Sequence, residues 1–344
     1  MIEPDAPLTD ESLMARAVAR AAQSRLLAPP NPWVGAVIVT PEGVSYEGST
    51  RRPGGAHAEV EVIRKAGDAA RGATMYVTLE PCAHEGRTGP CAEAVVAAGL
   101  DRVVVAVLDP DPQVAGRGVE RLRAAGIEVE VGPGAEAVEA QLAPYMHHRR
   151  TGRPWVVLKL AGTLDGRTAA ADGTSQWITG PEARGDAHRL RAESDAILVG
   201  AGTVRADDPR LTVRDVLAPD GEAPREPLRV VLGAAPANAA IHPCREESGP
   251  LSEVLDRLGA DDVVQLMVEG GATVAGALHA QGLVDRYVFY LAPAIMGGDD
   301  GTPLLAGAGA ATIGDLSPLK LDHLVKLGND LRLDLSPSTR TGWS

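Results

Sequence analysis

The sequence contains few of the residues on which several protein classes depend. Of its 344 residues only three are cysteine, and 3% are aromatic. Three cysteines cannot build the dense disulfide framework of a small secreted domain, and few aromatic side chains are available to stack on nucleic-acid bases. No apolar run approaches the roughly 18 residues that indicate a membrane-spanning helix. We therefore expect neither a disulfide-stabilised domain nor a membrane protein.

Basic residues are also scarce. The 33 lysines and arginines are outnumbered by 46 aspartates and glutamates, which gives a formal net charge of −13. The sequence has no basic block, whereas a nucleic-acid-binding protein normally shows a basic patch. The acidic beginning Met1–Asp5 has no apolar signal core, and a reducing compartment suits free thiols. These features predict a cytoplasmic protein that does not bind nucleic acid.

The length of the chain predicts two domains. Hydrophobic residues make up 44% of the 344 residues, which is enough for two separate cores. A helix predicted from about Ala135 ends in a basic stretch, and Gly152 follows it. We place the boundary there, so that residues 1–152 and 153–344 form one domain each. Alternating strand and helix patterns in the first half predict a layered α/β domain.

A candidate metal site lies in the first half. His57 is followed two residues later by Glu59, and Pro81 precedes the first of two cysteines, Cys82 and Cys91. One imidazole and two thiolates are a common zinc donor set, and three protein ligands leave a fourth position for water. Zinc lowers the pKa of such a water to about 7, and Glu59 could then transfer protons. A His-x-Glu motif with a later Pro-Cys…Cys pair is typical of zinc-dependent nucleobase deaminases.

A closed structural zinc site is the alternative. It needs a fourth ligand, which His84 could supply from the loop between the cysteines. The eight residues between Cys82 and Cys91 also exceed the short gap of the common deaminase pattern. Glu59 and Pro81 favour the catalytic interpretation, because a structural site has no use for a neighbouring general base.

The second half contains a glycine-rich loop that is either a phosphate-binding loop or a structural turn. Glu269-Gly270-Gly271 follows a predicted strand and precedes a predicted helix. Such a loop fits a phosphate cradle, because backbone N–H groups at a helix start can face an anion. A tight structural turn explains it equally well. The G-x-G-x-x-G fingerprint is absent, so a standard dinucleotide-binding domain is not indicated.

The chain resembles the bifunctional riboflavin-biosynthesis deaminase/reductase family in a series of ordered motifs. In the first half these are Pro30–Gly35, His57–Glu59, Thr78–Thr88 and Asp109–Gly118. In the second half they are Leu158–Ala161, Leu164–Thr168, Ser175–Thr179, Ala206–Arg214 and Val268–Gly271. The resemblance extends from about residue 9 to about residue 335.

The resemblance implies an α/β fold with two domains. The N-terminal domain would be a cytidine-deaminase-like three-layer structure, and the C-terminal domain would be dihydrofolate-reductase-like. The first would carry out Zn²⁺-dependent hydrolytic deamination of 2,5-diamino-6-(5-phosphoribosylamino)pyrimidin-4-one. The second would use NADPH to reduce the ribosyl group to a ribityl chain. The expected partner is thus a small phosphoribosyl-pyrimidine, and we also expect a homodimer or homotetramer.

Site residues follow from the same resemblance. It assigns zinc to His57, Cys82 and Cys91, proton transfer to Glu59, and substrate binding in the deaminase to Asn31, His84 and Arg87. It assigns NADPH to Ala161, Trp177, Thr203, Asp207, Gly271, Ala272 and Thr273, and substrate binding in the reductase to Lys159, Ser175, Arg191, Leu211, Arg214 and Glu269. Asn31 could instead be a turn residue before proline. Two arginines together suit a ribose phosphate.

The sequence departs from the family pattern at three places. Thr50 stands where the family usually has a substrate-facing histidine, and Gly89 replaces a proline in the cysteine loop. The segment 233–251 is short and rich in alanine and proline, where the family has another strand. The third departure leaves an alternative open, a deaminase whose reductase domain has decayed into a structural module. A zinc-stabilised binding protein without chemistry is a further alternative, which Glu59 opposes.

Overall fold

The computed structural model of the protein describes residues 9–83, 89–112 and 114–338. The chain divides into two compact units, one of Met1–Thr151 with Leu217–Pro224 and one of Gly152–Val216 with Arg225–Ser344. None of the helices in the described ranges combines the length and apolar character needed to cross a membrane.

The first unit contains six helices and five strands in the described ranges. The helices are α1 (Asp10–Gln23), α2 (Ala58–Ala66), α3 (Cys91–Ala98), α4 (Arg117–Ala124), α5 (Ala135–Gln141) and α6 (Ala143–Thr151). The strands are β1 (Gly35–Val39), β2 (Ser45–Ser49), β3 (Thr74–Leu79), β4 (Arg102–Val107) and β5 (Glu128–Val131). They form one sheet in the order β2-β1-β3-β4-β5, in which β3, β4 and β5 are parallel and β1 is antiparallel to both neighbours.

Helices cover both faces of this sheet. A Cβ on Gly35 would lie 2.0 Å from the carbonyl oxygen of Ala17 in α1, and a Cβ on Gly48 would lie 2.7 Å from that of Ala58 in α2. Gly48 pairs with Ala36, the residue next to Gly35, so the two glycines face opposite sides of the sheet. Helices α1 and α2 therefore approach opposite faces closely, and the unit has three layers.

The second unit contains four helices and ten strands in the described ranges. The helices are α7 (Pro181–Ala192), α8 (Ala201–Asp207), α9 (Leu251–Ala260) and α10 (Ala272–Ala280). The strands are β6 (Trp155–Thr163), β7 (Arg167–Ala169), β8 (Ala196–Gly200), β9 (Leu228–Leu232), β10 (Arg245–Glu247), β11 (Gln265–Val268), β12 (Arg286–Ala292), β13 (Thr302–Pro303), β14 (Leu319–Leu327) and β15 (Asp330–Pro337).

Eight of these strands form one mixed sheet in the order β10-β9-β8-β11-β6-β12-β15-β14. The first six are parallel, β15 is antiparallel to β12, and β14 at the edge is antiparallel to β15. Leu266 belongs to one core cluster and its neighbour Met267 to another, as the alternation of side chains along a strand requires. The sheet is thus packed on both faces, by α9 and α10 on one and α7 and α8 on the other.

The short segment 233–251 contains a strand after all. Strand β10 occupies Arg245–Glu247 and pairs in parallel with β9 at the edge of the sheet. The expectation that this segment lacks a strand was therefore wrong. Because an edge strand has one neighbour, a strand of three residues can complete the sheet without leaving a gap in its centre.

Candidate active sites

Three segments of the first unit bring the predicted zinc ligands together. His57 is the N-cap residue of α2, Cys91 is the first residue of α3, and Cys82 follows the end of β3. The His57 Nδ1 atom lies 3.3 Å from Cys91 Sγ and 3.9 Å from Cys82 Sγ. All three donor atoms lie within 4.8 Å of one another.

These distances fit a zinc ion. Bonds of about 2.0 Å to nitrogen and about 2.3 Å to sulfur place tetrahedral ligands roughly 3.5–4 Å apart. The backbone N–H of Cys91 donates to Cys82 Sγ at 3.3 Å, and hydrogen bonding from Cys91 and then from His57 lowers the pKa of the Cys82 thiol. A sulfur held as thiolate at a helix start is ready to bind a cation.

Glu59 lies beside this cluster, and no lysine or arginine in the described ranges forms a salt bridge with it. Its side chain is buried, 3% exposed, and none of the residues that the structure describes donates a hydrogen bond to its Oε2 atom. Burial raises the pKa of Glu59 to about 7, although the charge of His57 acts in the opposite direction. Buried polar atoms without partners are rare in folded proteins. This one fits a ligand or a water held at the metal site.

Glu80 is a positioning residue that the sequence analysis missed. Its buried carboxylate accepts four backbone N–H groups, those of Asp109, Gly116, Gly118 and Val119, at 2.8–3.2 Å. These bonds fix the end of β3, from which Cys82 follows. A Cβ at Gly118 would lie 1.9 Å from the carbonyl oxygen of Pro81, so only glycine fits there. The acid directly before the Pro-Cys pair was the available signal.

Of the residues predicted to bind substrate in this unit, one can be placed. His84 and Arg87 lie outside the described residues. Asn31 is half-buried, and its backbone N–H donates to the carbonyl of Ala28 at 2.9 Å. Thr50 is buried, and its Oγ1 accepts a hydrogen bond from the backbone N–H of Val34 at 3.1 Å. Thr50 thus joins the sheet framework.

In the second unit two predicted substrate residues, Arg191 and Lys159, surround the buried carboxylate of a third, Glu269. Arg191 donates two parallel hydrogen bonds to Glu269, from Nε to Oε1 and from Nη2 to Oε2, the latter at 2.9 Å. Lys159 Nζ lies 3.7 Å from Glu269 Oε2. Burial alone would raise the pKa of Glu269, but the charges of Arg191 and Lys159 lower it to about 2.

The segment that contains Leu211 and Arg214 lies next to this cluster. Arg191 Nη1 donates to the carbonyl oxygen of Thr212 at 3.1 Å. Leu211 is buried, whereas Arg214 is exposed. Ser175 is half-buried in the loop before α7, and Trp177 is 68% exposed with Arg184 stacked over its ring at 4.6 Å. The structure therefore places Arg214 near the Glu269 cluster and leaves the ring of Trp177 accessible.

Four of the predicted cofactor residues, Thr203, Gly271, Ala272 and Thr273, lie after the carboxyl ends of two neighbouring parallel strands, β8 and β11. Thr203 is in the first turn of α8, and its Oγ1 accepts the backbone N–H of Gly271 at 3.0 Å. Gly271 is the N-cap of α10, which begins with Ala272 and Thr273. A Cβ at Gly271 would lie 3.1 Å from Thr203 Oγ1. This narrow glycine turn at a helix start fits a phosphate of NADPH. Ala161 lies in β6 and Asp207 ends α8.

Comparison with known proteins agrees with both halves of this description. Residues 7–107 match the cytidine and deoxycytidylate deaminase zinc-binding region, and residues 154–333 match the RibD C-terminal domain. The chain is 40% identical to riboflavin biosynthesis protein RibD of Escherichia coli over 366 residues, which covers 95% of the chain and 99% of the relative. It is 44% identical to RibD of Mycobacterium tuberculosis over 317 residues, which covers 89% and 91%.

Solved structures show the same similarity. Acinetobacter baumannii RibD superposes with a TM-score of 0.90 at 38% identity, with 96% of this chain and 99% of that chain covered. A diaminohydroxyphosphoribosylaminopyrimidine deaminase/5-amino-6-(5-phosphoribosylamino)uracil reductase from Thermotoga maritima superposes with a TM-score of 0.82 at 30% identity and the same coverage. The chain therefore belongs to the RibD family of riboflavin-biosynthesis enzymes and carries both its deaminase and its reductase domain.

Proposed function

We propose that the first unit deaminates 2,5-diamino-6-(5-phosphoribosylamino)pyrimidin-4-one and that the second reduces the ribosyl group of the product to a ribityl chain. Family membership supports a small-molecule deaminase and reductase with zinc and NADPH as cofactors. The observation that carries the proposal is the buried Oε2 of Glu59, which has no partner in the described chain and lies beside three zinc donors.

In the deaminase, His57, Cys82 and Cys91 would hold zinc, which would make hydroxide available at neutral pH by lowering the pKa of water to about 7. Glu59 then performs the proton transfers. Its Oε2, which has no hydrogen-bond partner among the described residues, accepts a proton and delivers it to the departing amine. Glu80 keeps Cys82 in place through its four backbone hydrogen bonds. Substrate contacts by Asn31, His84 and Arg87 stay a prediction.

In the reductase, NADPH supplies a hydride. The residues of the chain orient the two reactants, because hydride transfer depends on the distance and angle between them. Gly271, Ala272, Thr273 and Thr203 would hold the cofactor phosphate at the start of α10, and Ala161, Trp177 and Asp207 would contact the remainder. Lys159, Arg191 and Arg214 carry three positive charges, and the negative charges near them are those of Glu269 and Glu226. This excess suits a phosphate group on the substrate. Ser175 and Leu211 complete the proposed substrate contacts.

One experiment separates the two activities. Purified protein is incubated with the diaminopyrimidine substrate with and without NADPH, and ammonia release and NADPH oxidation are followed separately. We expect ammonia release in both reactions and NADPH oxidation only after deamination. Ammonia release without any NADPH binding by calorimetry would revive the deaminase-only alternative. The complete eight-stranded sheet and the Glu269 cluster oppose that alternative.

Two further expectations concern the cellular compartment and the oligomeric state of the enzyme. The three cysteines are free thiols, which supports a reducing, cytoplasmic compartment. Assembly as a homodimer or homotetramer stays a prediction, and sedimentation of the purified chain would test it.

A further inference from the structure

The motif Leu164–Thr168 contains none of the residues assigned to substrate or cofactor. It forms the turn between β6 and β7, at the carboxyl end of a central strand of the large sheet. A crossing segment, residues 294–306, begins after β12 and ends beside α10, the helix that follows β11. Because β6 lies between β12 and β11 and is parallel to both, this segment passes over the carboxyl end of β6.

The carboxylate of Asp165 holds the first turn of the crossing segment. Its Oδ1 accepts the hydroxyl of Thr163 at 2.6 Å and the backbone N–H of Met296 at 3.1 Å, and its Oδ2 accepts the N–H of Gly297 at 2.7 Å. The hydroxyl of Thr163 and then the two backbone N–H groups lower the pKa of Asp165 to about 2. Both oxygens therefore act as acceptors at every working pH.

Arg167 holds the same segment a few residues farther along. Its Nη2 donates to the carbonyl oxygen of Gly298 at 2.9 Å, and its Nη1 donates to that of Gly301 at 3.0 Å. Strand β7, which begins with Arg167, then pairs with β13 of the crossing segment. Two charged side chains of one motif thus fasten both ends of the glycine turn to the end of β6.

The last residue of the crossing segment lies against the start of α10. The backbone N–H of Ala306 donates to the carbonyl oxygen of Ala272, the first residue of the helix, at 2.9 Å. A Cβ at Gly276, one turn later, would lie 1.8 Å from the carbonyl oxygen of Ala306, so the two backbones are in direct contact. Backbone N–H groups at a helix start bind an anion only where the helix holds them. The crossing segment therefore supports the helix start to which we assign a phosphate of NADPH.

We propose that Asp165 and Arg167 are positioning residues of the cofactor site. They hold the crossing segment at the carboxyl end of β6, and the segment holds the start of α10, where a phosphate of NADPH would bind. Neither side chain is required to touch the cofactor. The assignment of the phosphate to α10 rests on the proposed function, whereas the anchoring of the helix start rests on the hydrogen bonds of the crossing segment.

Asp165→Asn tests the anchor in the full chain. The amide keeps one acceptor oxygen, but it turns the other into an NH₂ group that faces a backbone donor. We expect the Kd for NADPH, measured by calorimetry, to rise about fivefold, less than the tenfold or more of a direct charged hydrogen bond, because the effect acts through the segment. The kcat at saturating NADPH and the KM for the deaminated substrate should stay within about twofold.

The matched control is Asp315→Asn. Asp315 is also an exposed carboxylate that accepts a threonine hydroxyl and a backbone N–H, both from Thr312. This variant should leave the Kd for NADPH unchanged. An unchanged Kd in Asp165→Asn as well would overturn the proposal, because the glycine turn would then be a local structure without influence on the cofactor.

Hydrogen exchange without any ligand follows the anchor residue by residue. In Asp165→Asn the amides of residues 296, 297 and 306 should all exchange faster than in the wild type. In Gly276→Ala only that of residue 306 should do so, because the new Cβ separates the segment from α10 while Asp165 is intact. Gly185→Ala is the control, since a Cβ at this helical glycine meets nothing within 4 Å.

The exchange of residue 306 separates this proposal from the proposed function. Unchanged exchange there in Asp165→Asn would show that the turn does not hold the helix start, and it would overturn the proposal. If the wild type binds no NADPH, the proposed function of the second unit fails. The exchange of residue 306 still decides in that case whether Asp165 anchors the start of α10.

Discussion

Glu59 and Glu269 are both buried glutamates, yet their environments displace their pKa values in opposite directions. Burial raises the pKa of Glu59 to about 7, and His57 opposes this only in part. Glu269 is buried as well, but Arg191 and Lys159 lower its pKa to about 2. The two glutamates differ in their neighbours: Glu269 accepts two hydrogen bonds from Arg191, whereas Oε2 of Glu59 has no hydrogen-bond partner among the residues that the structure describes.

The comparison shows how one residue type serves two purposes. A carboxyl group with a pKa near neutrality can accept and release protons during turnover. A carboxylate locked to arginine keeps its charge at every working pH and holds the arginine in place. We therefore assign proton transfer to Glu59 and the orientation of cationic side chains to Glu269.

Loss of a zinc ligand should abolish deamination. Cys82→Ser removes one of the three zinc donors and leaves only His57 and Cys91. Both the zinc content and the ammonia release should therefore fall to background. Reduction of supplied deaminated substrate should persist. Cys244→Ser is the matched control, because Cys244 is a free thiol in the other unit. Unchanged zinc content and ammonia release in Cys82→Ser would contradict the metal assignment.

Glu59→Gln should lower the deamination rate by a factor of 10²–10⁴, the typical contribution of a general acid–base group. Zinc content should stay at one per chain, because the amide replaces a residue that is not a ligand. Glu61→Gln serves as the control, since Glu61 is on the same helix but is paired with Arg51 and Lys65. Retention of more than about half of the activity in Glu59→Gln would refute the proton-transfer role.

The stability of the second unit should depend on pH through Glu269. Its folded pKa of about 2 lies below its ordinary value of 4.5, so its contribution is present above pH 4.5 and is lost as the pH falls toward 2. Hydrogen exchange of β11 in the full chain, compared between wild type and Glu269→Gln, measures this contribution. The difference between wild type and Glu269→Gln in the free energy of opening should shrink by a few kcal/mol as the pH falls from 4.5 toward 2. A constant difference would show that the carboxylate is not held by Arg191.

Arg214→Ala should have the smallest effect. Losing one charged hydrogen bond to substrate raises the KM of the reductase about tenfold, and deamination should be unchanged. The control is Arg189→Ala, because Arg189 is an exposed residue of α7 that pairs with Glu193. A parallel loss of both activities would indicate general destabilisation of the chain instead.

Much of the fold could be predicted where the sequence pattern is local. The apolar run of β4 and the glycine that ends α3 indicate those elements without any knowledge of their neighbours. Strand β2 was missed because Ser45–Ser49 is polar and lies at a sheet edge, and α4 was missed because few of its residues are apolar. Strand β10, with the sequence Arg-Glu-Glu, has no strand pattern of its own and forms through pairing with β9.

The sequence by itself determined the donor set of the metal site and its general base. His57 and Glu59 lie two residues apart, and Cys82 is marked by the proline before it, so short-range spacing was sufficient. The tertiary structure alone decided the state of the two glutamates. Arg191 is 78 residues from Glu269 along the chain, and no local pattern shows that the pair will meet. The pKa of a buried carboxyl depends on the charges that folding brings to it, and those charges come from distant parts of the chain.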